Sequence, residues 1–185
     1  MITKFKDKRI DYDGSQLRSH WIFSEINIKG DACLSFIGAC DVTPEYMIDL
    51  EDLLNDKAIR SKSMLHFIIE IFKSDILTSV LIQHLFVSIV KEEILKKDPE
   101  KNIVRIGDDL FFDERKLSVS IATISPLSSL IHFGMNITSE DTPIPTSNLS
   151  ELSIEPVDLS ANILNEFSKE YKIIEDSMYK VRPAF

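Results

Sequence analysis

Glycine is scarce, with five among 185 residues. Phosphate cradles made of backbone N–H groups rely on glycine-rich loops, so few places along this chain suit one. Cysteine is scarcer still. Cys33 and Cys40 alone occur, both in a stretch that reads as a strand, which excludes a disulfide framework and leaves buried free thiols as the expectation. No apolar run reaches the roughly 20 residues that a membrane-spanning helix needs. The longest, between Asp75 and Lys91, is interrupted by Gln83 and His84. Met1 to Arg9 holds no apolar core of the kind a secretory signal carries, so a cytoplasmic protein that does not engage a membrane is expected. Positive charge is also short. Against 30 Asp and Glu stand 21 Lys and Arg, a net charge of -9, and such a field repels duplex nucleic acid. A small anion is a different matter, because two or three basic side chains outweigh a diffuse field at close range.

What is present supports a packed core. With 44% hydrophobic and 28% charged residues, burial can offset the ordering entropy, and the length suits one domain over residues 1–185. Asp13-Gly14-Ser15 followed by Leu17, Trp21 and Ile22 predicts a short helix from Ser15. Cys33 to Ile37 reads as a strand. Thr43-Pro44-Glu45 opens a helical stretch carrying Met47, Leu50, Leu53 and Leu54. Met64 to Phe72 is assigned as a buried strand. Asp75 caps a long helix whose Ile76, Leu77, Val80, Leu81, Leu85, Ile89 and Ile94 form its apolar stripe, with His84 on the same face as a core histidine. Strands follow at Ile103–Ile106, Leu110–Phe112, Lys116–Ser125 and Leu130–Ile137, then a Pro-rich loop and an amphipathic helix from Ser160 to Ile174. Helices before and after a run of strands make an α+β fold, an antiparallel or mixed sheet covered on one face by helices.

The strand run also separates two kinds of side chain. Alternation sets Leu117, Val119 and Ile121 against Lys116, Ser118, Ser120 and Ala122, and sets Phe133 and Met135 against His132, Gly134 and Asn136. A three-residue loop at Pro126-Leu127-Ser128 then pairs Ser120 with Gly134 and Ser118 with Asn136, keeping both apolar faces together. A two-residue turn at Asp113-Glu114 sets Asp109 across from Ser118, on the side bearing Lys116. An ammonium and a carboxylate thus meet over small side chains, a floor roomy enough for a ligand.

The run Gly107-Asp108-Asp109-Leu110, with Lys116-Leu117-Ser118 after the hairpin, resembles a segment of biotin and lipoate protein ligases, where an Asn-Asp pair precedes a hairpin and a Lys-Leu or Lys-Ile pair begins the returning strand. His132-Phe133-Gly134-Met135-Asn136-Ile137 is similar to the Gly-Ile-Asn strand that follows in biotin ligases. The whole chain resembles an archaeal family of unknown function, through Tyr12-Asp13-Gly14-Ser15-Gln16, Gly107 to Leu110 and Lys116 to Thr123. That family is placed with the class II aminoacyl-tRNA synthetase and biotin ligase fold. The resemblance implies a small carboxylic acid as ligand, activated with ATP and Mg2+ as an acyl-adenylate. Lys116 would grip the acid, Asp109 would lie near nucleotide or metal, and Asn136 would line the same pocket. Val119 stands where the ligase pattern has a glycine, and no Gly-Arg-Gly loop occurs, which keeps open a second reading, a non-catalytic binding or assembly protein.

Other candidates are weaker. Arg60 and Lys62, in a loop ahead of the Met64 strand, offer two cations to an anion. Gln16 and Arg18 follow a turn that either caps a helix or presents both to a ligand. His20, His66, His84 and His132 share no metal-ligand spacing. His132 alone is directed to the polar face, where it suits acid-base work. Pairing through an exposed sheet edge into a homodimer is compatible with either function.

Overall fold

The computed structural model describes residues 1–73 and 75–184. Five strands form the main sheet: β1 (Ile2–Lys6), β2 (Ala32–Val42), β3 (Ile59–Ile71), β7 (Ser118–Ile124) and β8 (Ser129–Asn136). Their order is β1-β2-β3-β8-β7, with β1 parallel to β2 and the other neighbours antiparallel. A second, three-stranded sheet joins β4 (Ile103–Ile106), β5 (Asp109–Phe112) and β6 (Arg115–Lys116). The helices are α1 (Trp21–Ile26), α2 (Leu50–Leu54), α3 (Ile76–Lys97) and α4 (Pro156–Tyr179).

Helices α3 and α4 close one face of the main sheet over a core that includes Phe67, Phe86, Phe133 and Phe167. Phe86 meets Phe133 and Phe167 edge to face, with centroids 5.5 and 5.0 Å apart, the arrangement that aromatic quadrupoles favour. Burying one such ring contributes roughly 1.5–3 kcal/mol. The opposite face is buried as well. Tyr12, Trp21, Phe36, Met64 and Ile68 form a second core there, with α1 among its covering elements.

Gly38 is what lets the amino-terminal segment reach that second face. A Cβ at Gly38 would stand 1.7 Å from the carbonyl oxygen of Ile10. Without one, Ile10 N donates to Ile37 O at 3.1 Å and Tyr12 N to Ala39 O at 2.8 Å. A bulge between Gly38 and Cys40 accompanies this close approach. The segment therefore lies along β2 like a partial extra strand and places Tyr12 over the sheet.

Two buried faces overturn expectations built on one wet face. In the β7–β8 pair Val119 lies opposite Gly134, Ser120 opposite Phe133 and Ser118 opposite Met135, one residue away from the predicted register. The loop is four residues, Ser125 to Ser128, because Ile124 pairs with Ser129. Polar and apolar alternation identifies a core face only where the other side meets water. The α3 stripe is also different. Asp75 does cap the helix, but Ile76, Leu77 and Leu81 are exposed, while Ser79, Ile82, Gln83, Phe86 and Val90 face the sheet. His84 is half-buried rather than a core residue. Nearly continuous apolar sequence carries no periodicity that tells one face from the other. At the amino terminus, turns occupy residues 14–20 and the helix begins only at Trp21. The Thr43-Pro44 stretch is a 3-10 turn (Pro44–Tyr46) followed by the five-residue α2, with Leu50 and Leu54 exposed.

Candidate functional site

The site is assembled at Leu117, where the chain leaves the small sheet for the large one. β6 pairs with β5, β7 pairs with β8, and Leu117 between them belongs to neither ladder. Asp113 and Glu114 both adopt positive φ, 48 and 65, the left-handed conformations that a two-residue hairpin turn requires. This turn returns the chain so that Lys116 Nζ lies 2.6 Å from Asp109 Oδ2. Leu117 and Ser118 both turn inward, so the alternation resets. Lys116 consequently shares its side of the sheet with Val119 and Ile121 rather than with Ser118 and Ser120.

Two contiguous hollows open on that side. A cavity of about 400 Å3 is lined by Lys116, Asn136, Arg60 and Thr146 and by apolar side chains that include Met64, Val119 and Ile144. A smaller chamber of about 100 Å3 adjoins it at Asp52, Ile59, Lys116 and Val119, and has Tyr12, His132 and four aspartates, Asp49, Asp52, Asp108 and Asp109, in its wall. Asn136, 5% exposed, donates from Nδ2 to Ser147 O at 3.3 Å. Gly134 lies beside Met64, and a Cβ there would come within 2.9 Å of its Cε.

The serines occupy other roles. Ser118 Oγ accepts from Leu110 N at 2.9 Å. Ser120 Oγ contacts Gln83 Nε2 at 2.6 Å and both Asp108 O and Oδ2 at 3.1 Å. Both residues touch the cavity walls, yet their hydroxyls tie β7 to β5 and α3. Arg60 and Lys62 lie within β3, not in a loop before it, and each meets an acidic partner in the 140–141 turn: Arg60 Nε to Asp141 Oδ1 at 3.4 Å and Lys62 Nζ to Glu140 Oε2 at 2.5 Å. Gln16 is turned inward, accepting from Asp13 N and donating to Asp11 O, whereas Arg18 donates to Ser15 O on the surface. The amino-terminal contribution to the site is Tyr12, which the sequence offered only as part of a resemblance.

Burial sets the electrostatics. Asp109 is largely desolvated, and this pushes its carboxyl up to about 6, with Lys116 pulling the other way and Asp108 and Asp52 adding to the rise. Its Oδ1 is buried with no hydrogen-bond partner. His132 is 3% exposed, stacks on Tyr12 with ring centroids 3.8 Å apart, and shares a hydrogen bond of 3.1 Å between its Nε2 and His66 Nδ1. Burial holds His66 down at about 4, and burial plus the neighbouring His66 holds His132 well below the ordinary range. Two neutral imidazoles can share that bond only if one donates and the other accepts. His132, directed by alternation to a polar face, lines the small chamber but is buried, and His66, in an apolar run that gave no such signal, is carried beside it by the β3–β8 pairing.

Over residues 1–182 the chain matches the family described as Domain of unknown function (DUF366). The chain belongs to this family. An uncharacterized protein of Methanocaldococcus jannaschii is 34% identical over 190 residues, covering 99% of this chain and 85% of the relative. A solved protein of unknown function from Pyrococcus horikoshi superposes with a TM-score of 0.91 at 36% identity, covering 99% of this chain and 100% of the other. The biotin protein ligase of Aquifex aeolicus, solved with biotin and ATP, superposes at 0.59 with 16% identity, over 92% of this chain and 70% of the ligase. At that identity the likeness establishes the fold, that of the biotin and lipoate protein ligases, and the helices and mixed sheet agree with it.

The residues around Lys116 do not fit ATP with Mg2+. Four carboxylates surround the small chamber, and the guanidinium in the wall of the larger cavity, Arg60, is already paired with Asp141. Gly38 and Gly134 lie in strands, Gly14 is held against Tyr46, and Gly30 and Gly107 each stand singly in a bend or turn, so among the described residues no glycine-rich loop presents backbone N–H groups to a polyphosphate here. Among the described residues no three His, Cys, Asp or Glu side chains converge on a metal position, and no helix is long and apolar enough to cross a membrane.

Proposed function

We propose that this DUF366 protein binds a small carboxylic acid with an apolar body, held by Lys116 beside Asn136, and does so without nucleotide chemistry. The observation that carries this reading is the cavity of about 400 Å3 in which Lys116 and Asn136 are joined by a mostly apolar wall. Such a hollow suits a ligand that is apolar along most of its length and polar at one end. Lys116 supplies the charge-assisted hydrogen bond for the acid group. Asp109 already occupies the ammonium at 2.6 Å, so an incoming carboxylate would replace it or share it. The Aquifex aeolicus ligase with biotin bound supports the class of ligand at the level of fold.

A thermal-shift series of straight-chain and ring-bearing carboxylic acids, followed by calorimetry, tests this. Acids that fill the cavity should raise the melting temperature, and Lys116→Ala should weaken them about 10- to 100-fold, the worth of one hydrogen bond to a charged group. Equal affinity in the variant, or no acid binding at all, would remove the reading. Acid-dependent release of pyrophosphate from Mg-ATP would replace it with ligase chemistry.

A further inference from the structure

The carboxylic-acid reading uses the larger cavity and leaves the smaller chamber unexplained. Four aspartates line that chamber, and Lys116 is the single cation in its wall. Lys57 lies outside the wall and meets Asp52 at 3.0 Å. The excess is negative, which disfavours phosphate or carboxylate and favours a cation. The carboxylates are held apart by separate partners. Asp49 accepts from Glu51 N and Asp52 N, Asp52 takes Lys57, Asp108 takes Gln83 and Ser120, and Asp109 takes Lys116. This dispersal does not gather ligands around one metal ion, and it suits a cation that distributes several N–H groups among separate acceptors.

The second observation is independent of the acidic residues. Tyr12 is 3% exposed and lines the chamber, yet no hydrogen bond reaches its hydroxyl among the described residues. Side chains this deeply buried usually have their polar atoms partnered. Burial keeps this phenol protonated far into the alkaline range, so its oxygen is a neutral acceptor as well as a donor. Tyr12 is held rigidly, by Gly38 beneath its segment and by stacking on His132. Asp109, whose Oδ1 is buried without a partner, is a residue of the same wall. The Tyr12 side chain, whose hydroxyl has no donor among the described residues, and the four aspartates line a space of about 100 Å3, which admits several water-sized groups.

We infer that this chamber binds the ammonium of a small amine, with Tyr12 and the aspartates accepting its N–H groups and Ile59, Val119 and Ile121 packing on its carbons. Where the acid reading also holds, Lys116 separates the two subsites, so a ligand that fills both carries an ammonium at one end and a carboxylate further along.

Propylammonium chloride is the probe, with tetramethylammonium chloride as a cation of similar charge that has no N–H to donate. Calorimetry and thermal shift should show saturable binding of propylammonium and none of tetramethylammonium. Tyr12→Phe, which keeps the ring and its stacking, should weaken propylammonium about fivefold, the worth of one hydrogen bond. Asp52→Asn should weaken it as well. Equal responses to the two cations, or full affinity in both variants, would overturn the inference. Octanoate titrated into the same proteins keeps the two readings apart. Octanoate binding without propylammonium binding refutes the chamber alone, and propylammonium binding without octanoate binding supports the chamber and removes the acid reading.

Discussion

Lys116 and Asp109 meet across the β5–β6 hairpin at 2.6 Å, and the same aspartate leaves its second carboxylate oxygen buried without a partner. The pair is thus half satisfied. Its burial keeps Asp109 up at about 6 even with an ammonium alongside, the balance in which desolvation outweighs a single ion pair.

Removing the ammonium should move that balance further. Lys116 favours the charged form of Asp109 both as hydrogen-bond donor and as a positive charge. Lys116→Met should therefore raise the Asp109 carboxyl above 6, which carbon-detected NMR of the carboxyl groups can follow. An unchanged or lowered titration midpoint would mean that the pair is not coupled.

Acid binding should depend on pH with a definite sign. Above about 6 Asp109 is charged and competes with an incoming carboxylate for Lys116; below it, Asp109 is neutral. Affinity for octanoate should rise as pH falls from about 7 to 5, then fall as the ligand itself protonates near the ordinary carboxyl range of about 4.3. Asp109→Asn should flatten the upper limb. Calorimetry across that interval reads both effects.

The buried imidazoles oppose this trend in stability. His66 titrates at about 4 in the folded chain and near 6.5 when unfolded. Between those values the unfolded chain takes up a proton that the native state refuses, so stability is lost as pH falls through 6.5 to 4, by on the order of 3 kcal/mol for His66 alone. Asp109 has the opposite sign, gaining stability as pH falls from about 6 towards 3.8. With His132 also held low, the histidines should dominate. Urea denaturation at pH 7 and 4.5 should show the loss, and NMR should find both rings neutral at pH 5.

Gly38→Ala should be among the most damaging single changes. The added Cβ meets backbone, at 1.7 Å from Ile10 O, and backbone there cannot turn aside as a side chain would. A loss of about 2–4 kcal/mol is expected, along with displacement of Tyr12 from His132. Denaturation midpoints and the ring-current shifts of His132 measure the two consequences.

Residues 43–58 contribute Tyr46, Met47, Ile48, Asp49 and Asp52 to the small chamber, yet among the described residues their hydrogen bonds stay within the segment. Amide exchange there should be fast in the free protein and slowed by a bound amine or acid. Unchanged exchange in the presence of a saturating ligand would show that the segment does not close on it.

The hairpin at Asp113-Glu114 was legible from spacing alone, because a two-residue turn leaves one way for Asp109 and Lys116 to come together. The Asp75 cap and the run of short strands after Pro99 were legible for the same reason, since they depend on neighbours in the chain, whereas β1 (Ile2–Lys6) and the full spans of β2 and β3 were not. Which side of the sheet each residue faces was not. Leu117 resets the alternation where the chain changes sheets, and with both faces buried nothing in the sequence marks the wet side. Ser118 and Ser120 therefore turned out to tie elements together, while Val119 faces the site. Tyr12, His66 and His132 lie far apart along the chain, and only the pairing of β3 with β8 and the passage of the first segment over Gly38 bring their rings together. Local sequence dictated the pieces through turn geometry and capping. Long-range packing decided the site, since burial on two faces depends on what arrives from elsewhere in the fold.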